Sequence, residues 1–135
     1  MHNKLSDTLG HSKQYTLAVA AAMPADGYNF KPAEEIMSFG ELLNHIAYGI
    51  TWWEANYING VKTGWAPPAA GTSKEEVKTY LEKAYDNLAN RISTSALQEE
   101  AVAGFHATLD HITHHRGQAT IYLRCKGIQP PEYLY

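Results

Sequence analysis

Near the C-terminus the chain reads His111-Ile112-Thr113-His114-His115-Arg116-Gly117-Gln118, inside a stretch from about Ala101 to Lys126 that reads as a single long helix. His111 and His115 are four positions apart, which leaves their side chains about 40° apart on one helical face. That is a chelating spacing, but one face supplies only two ligands. A metal reading therefore demands a third ligand from another element packed against this helix. The chain has to be read for partner helices.

Three further helical segments are legible. The first runs from about Asn3 to Ala22, with Leu5, Leu9, Ser12, Thr16 and Val19 at three- and four-residue steps. Met23 to Pro32 carries two prolines and a glycine and reads as a connection. Ser38 then offers an N-cap with Glu41 as its capping-box partner. The second helix, roughly Phe39 to Asn59, has Phe39, Leu43, Ile46, Ile50 and Tyr57 on a core face, and Leu42, His45, Gly49, Trp52 and Asn56 on another that reads as a pocket wall. Gly60 to Gly71 is broken by Gly64, Pro67 and Pro68, and is long enough to move or to cover something.

Thr72 or Ser73 caps the third helix, whose Val77, Leu81, Ala84 and Leu88 form one buried stripe. Lys74, Glu75, Lys78, Glu82 and Lys83 read as its solvated face. After a polar connection, Ser93 to Glu100, the fourth helix ends at Gly127, before Pro130-Pro131. With no strand-like alternation and no repeat, the expectation is an all-α, antiparallel four-helix bundle forming one domain over residues 1–135.

Composition narrows the class. Lys and Arg number 11 against 14 Asp and Glu, a formal net charge of −3, and the basic residues are scattered. Nucleic acid is not an expected partner, because phosphate binding needs a basic footprint. No apolar run has the length of a membrane span or the form of a signal peptide, and the single cysteine, Cys125, allows no internal disulfide. A cytoplasmic protein acting on a small molecule is expected. Three Trp and nine Tyr leave aromatics for a pocket, with Tyr48, Trp52 and Trp53 as candidates.

Seven histidines make an H-x-x-x-H pair easy to obtain by chance, so the pair carries weight only in context. Thr108, His115, Gln118 and Tyr122 lie within about 60° of His111, whereas Leu109, Ile112 and Leu123 lie about 100–160° away. That is a polar stripe facing a cavity or solvent, beside an apolar one facing the core. His114 competes with His115 but is less well aligned; His106, His2 and His11 have no evident partner. His45, among apolar and aromatic neighbours, is the candidate third ligand. Three imidazoles would leave coordination positions open, and the chemistry available is then hydrolysis or attack by an activated thiol. The alternative is a set of histidines that are merely solvent-facing or structural.

The segment Met37-Ser38-Phe39-Gly40-Glu41-Leu42-Leu43-Asn44-His45-Ile46-Ala47, the H-x-x-x-H-R-G-Q run, Phe30-Lys31-Pro32 and Gly127-Ile128-Gln129-Pro130-Pro131 together resemble the DinB/YfiT-like family of metal-binding four-helix bundles. The likeness covers nearly the whole chain. It implies His45, His111 and His115 as ligands of one divalent metal, with nickel, zinc and iron all suitable, and a homodimer. It also implies a thiol-dependent transferase using a low-molecular-weight thiol, a metal-dependent hydrolase, or a stress-related binding protein without catalysis. Beyond the resemblance, Gln118 and Glu41 lie one turn from His115 and His45, placed to orient a bound water or a ligand imidazole. Arg116 points about 140° from the ligand stripe and reads as structural. Gly117 is expected at a close helix contact, and Cys125 as a small packed residue.

Overall fold

The computed structural model describes residues 4–94 and 96–133, so His2 and Asn3 lie outside the described residues. Four helices account for most of it: α1 (Lys4–Ala22), α2 (Phe39–Trp53), α3 (Lys74–Thr94) and α4 (Glu99–Cys125). No strand occurs among the described residues, and none of their helices is long and apolar enough to cross a membrane.

Local signals set three of the helix ends. Ser38 accepts the Glu41 N–H at 3.2 Å while the Glu41 carboxylate accepts the Ser38 N–H at 2.9 Å, a capping box that fixes the start of α2. Ser73 accepts the Glu76 N–H at 3.3 Å and so caps α3. At the end of α4, Gly127 takes φ +74°; its N–H reaches Arg124 O and the Ile128 N–H reaches Leu123 O, both at 2.9 Å. This is a Schellman termination, which favours glycine.

α1 and α2 each lie beside both α3 and α4. Cross-contacts give the directions. Lys13 pairs with Asp86 and Lys74 reaches Ala21 O, so α1 and α3 are antiparallel. Tyr122 donates to Met37 O and Gly104 abuts Tyr57, so α2 and α4 are antiparallel too. Gly40 meets Thr72 while Asn59 meets Arg91, so α2 and α3 run the same way. Residues 59–73 must therefore return along the full length of the bundle.

The predicted core positions Phe39, Leu43, Ile46 and Ile50 on α2, and Val77, Leu81, Ala84 and Leu88 on α3, are all buried. Tyr57 is not: it is 38% exposed, and Ile58 is buried instead. The cause is a π-helical turn over Glu54–Ile58, where the Asn59 N–H bonds Glu54 O, five residues back, and shifts the inward-facing position by one. Lys74, read from the sequence as solvated, instead donates to Ala21 O and Met23 O at 3.0 and 2.9 Å, satisfying carbonyls at the end of α1.

At the α1–α4 seam Arg116 is buried, over the Tyr15 ring at 4.9 Å and 3.5 Å from Thr16 Oγ1. Its structural place follows from pointing away from the histidine face.

Candidate functional site

His45 stands on the second turn of α2, opposite the middle of α4. Its Nε2 lies 3.0 Å from His115 Nε2 and 3.0 Å from His111 Nε2. One nitrogen from each of the three rings falls within 4.8 Å of the other two, and no other group of three metal-ligating side chains occurs among the described residues. The sequence-derived trio is thus a spatial cluster built from two helices.

Two neighbours set the rings. His115 Nδ1 lies 2.9 Å from Gln118 Oε1; the ring N–H donates there, which leaves the Nε2 lone pair facing the cluster. His111 fits because residue 49 has no side chain: a Cβ on Gly49 would sit 2.5 Å from both Cε1 and Nδ1 of its ring. His111 Nδ1 is buried without a hydrogen-bond partner.

Protons alone do not satisfy this arrangement. A neutral His45 has at most one proton on Nε2 to offer two nitrogens at 3.0 Å, so at least one contact lacks a well-aligned hydrogen bond. Charging the rings is disfavoured. Burial, and then the neighbouring His115, lower the pKa of His45; burial, followed by His115, His45 and His114, lowers His111 to about 4. Burial also lowers His115, against the opposing effect of Gln118. Three neutral imidazoles with converging lone pairs form a donor set that fits a divalent first-row cation and leaves a further coordination position open.

Aromatic residues close one side. Trp53 lies 5.0 Å from the His111 ring and Trp65 lies 5.4 Å from that of His45, between ring centroids. Trp65 belongs to the returning segment, which Asn56 ties down by accepting the Thr63 N–H at 2.9 Å and Tyr48 by accepting the Ala66 N–H at 2.8 Å. Two clefts remain open. One, of about 360 Å³, has His45, Glu41, Tyr48 and Tyr80 on its wall; the other, of about 520 Å³, has His115, Gln118, Ile121 and Tyr122.

The sequence profile of the DinB superfamily matches residues 8–119. The chain belongs to the DinB superfamily. It is 28% identical to the uncharacterized protein YjoA of Bacillus subtilis (strain 168), over 91% of this chain and 88% of that one. The crystal structure of YjoA, a DinB-like protein, superposes with a TM-score of 0.77 at 19% identity, over 98% of this chain and 99% of that one. A DinB-like protein from Bacillus cereus ATCC 10987 superposes at 0.80 and 14%, over 96% and 95%. These superpositions establish a shared fold.

Other candidate residues of this DinB chain are placed as follows. Gln118 accepts from the His115 ring, as described above. Glu41 shares a cleft with His45, but one of its carboxylate oxygens is engaged by the Ser38 N–H, which together with the Ser38 side chain lowers its pKa. Trp53 reaches His111 and Tyr48 lines a cleft, whereas Trp52 donates its indole N–H to Thr63 O and so holds the returning segment. His114 is exposed with its ring 4.7 Å from that of His115; His11 and His106 are exposed as well. Two expectations fail. Gly117 has open space where a Cβ would stand, because its side of α4 faces solvent; Cys125, in the last turn of α4, is exposed rather than packed.

The depressed pKa of His111 has a consequence for the metal-free protein. Unfolded, the ring takes a proton below its ordinary pKa near 6.5; folded, it resists until about 4. Protons therefore bind preferentially to the unfolded chain between these values, and stability present above pH 6.5 is lost as pH falls towards 4. Denaturant midpoints measured across this range should decline with acidity, and His111→Gln should flatten the decline.

Proposed function

We propose that this DinB protein binds one divalent metal ion through His45, His111 and His115 and acts as a metal-dependent enzyme on a small molecule. Within that class, transfer of a low-molecular-weight thiol to an electrophile is preferred over hydrolysis. The observation that carries the metal reading is the approach of His45 Nε2 to within 3.0 Å of both other Nε2 atoms. Nickel, zinc and iron all suit imidazole nitrogen.

A bound divalent cation lowers the pKa of a coordinated water or thiol towards neutrality or below. The chain's own residues hold the imidazoles, flank them with tryptophan rings on one side and admit a small molecule from the clefts. Hydrolysis gains from a free acid or base beside the attacking water. Here all three imidazoles would serve as ligands, and Glu41, which accepts the Ser38 N–H on one oxygen and has its pKa lowered by it, is a weak base. A thiol already held as thiolate needs no such base, and this favours transfer.

Protein purified without a histidine tag should carry about one divalent ion per chain, consistent with one three-ligand site. With a physiological thiol and an electrophilic acceptor, the loaded protein should form the S-conjugate, by addition across the acceptor's multiple bond or with departure of its leaving group, and chelation should abolish the reaction. Turnover of an ester or amide without conjugation would assign it to the hydrolases. A coordination shell with no exchangeable position would make it a non-catalytic binding protein.

A further inference from the structure

The smaller cleft, about 360 Å³, lies between α2, α3 and the returning segment. Its volume is at the low end for small-molecule sites, which suits a ligand of one or two rings. Met37, Pro67, Pro68 and Ala70 give it apolar walls, and Glu41 is its only charged lining residue.

Two phenols supply directed polar groups. Tyr48 accepts the Ala66 N–H at 2.8 Å and keeps its own O–H to donate. The Tyr80 hydroxyl has no hydrogen bond among the described residues, and burial, then the adjacent Tyr48, raises its pKa so that it stays protonated. Both hydroxyls can therefore donate to an acceptor oxygen on a bound molecule. In the metal-free protein the lone carboxylate repels an anion, and no lysine or arginine lines the wall to offset it.

We propose that this cleft binds a neutral aromatic carbonyl compound, its oxygen received by Tyr48 and Tyr80, beside His45. Its role as the acceptor rests on the metal-dependent transfer proposed above, the thiolate sulfur bonding to the carbonyl carbon as the C=O π bond opens and its oxygen takes up the thiol's proton to give a hemithioacetal; the binding itself does not.

Benzamide and benzoate, which match in size and differ in charge, are suitable probes. Titrated into the metal-free protein, where no cation can hold benzoate, and followed by backbone amide NMR shifts, benzamide should bind with a dissociation constant on the order of 1 mM, as expected for so small a ligand. Shifts should centre on Tyr48, Tyr80 and Ala70, and benzoate should bind at least about tenfold more weakly. Ala70→Trp, on an exposed segment, should abolish the shifts while leaving metal content unchanged. Tyr80→Phe should weaken binding several-fold.

His111 is not on this wall, so His111→Ala should lose metal and still bind benzamide. That variant separates failure of the metal reading from failure of the cleft assignment. The proposal is overturned if benzamide does not bind, if binding survives Ala70→Trp, if benzoate binds as tightly, or if the shifts centre on Gln118 and Ile121 in the other cleft.

Discussion

Replacing His45 with alanine should lower affinity for divalent metal by about a hundredfold or more, because a three-nitrogen site is reduced to the two imidazoles of one helix. The fold should survive. His45 is only partly buried, and its close neighbours are the other imidazoles and Trp65 rather than the apolar core. In the metal-free protein the substitution also removes two nitrogen contacts of 3.0 Å that one proton cannot satisfy together. Apo stability should therefore hold or rise slightly. The wild-type protein should instead gain about 4 kcal/mol when free metal exceeds its dissociation constant a thousandfold, since only the folded state assembles the site. Metal titration followed by thermal denaturation reads both quantities. Full metal occupancy in His45→Ala would show that the two-helix site is wrong.

What was legible in the sequence was whatever helical periodicity transmits. The stripe Val77, Leu81, Ala84, Leu88 is buried because residues at these spacings share a helix face. His111, His115 and Gln118 could be aligned by the same rule, and His45 followed as a histidine on the pocket-facing side of another helix.

The features that spacing does not disclose depend on contacts across the fold. A 3.6-residue period continued through Tyr57 places it in the core; the π turn that interrupts this period has no signature in the spacing. Trp65 lies in a proline-broken segment without any period, so nothing local indicates that its ring lies near His45. Gly49 and Gly117 are both helical glycines near the ligands, and only the structure separates them. A side chain at 49 would strike His111, whereas one at 117 would meet solvent.

Gly49→Ala should therefore separate folding from metal binding. Glycine in a helix interior is ordinarily less favourable than alanine by about 1 kcal/mol, so helix propensity alone predicts a more stable protein. Overpacking opposes this, at about 1–3 kcal/mol where a well-filled site cannot yield. The new methyl would stand 2.5 Å from the His111 ring, which has Trp53 at 5.0 Å and Trp65 at 6.0 Å between centroids on its other sides. The ring must swing out of the cluster, so metal affinity should fall by about 10–100-fold, the scale seen when a ligand loses its orientation. Net stability should change little. In Gly49→Ala/His111→Ala the clashing ring is gone, and denaturant unfolding of the apo double variant should show the full alanine gain of about 1 kcal/mol over His111→Ala. Metal binding should stay lost in both. If Gly49→Ala binds metal like the wild type, the glycine is not what seats His111, and the ring must have another position from which its nitrogen reaches the cluster.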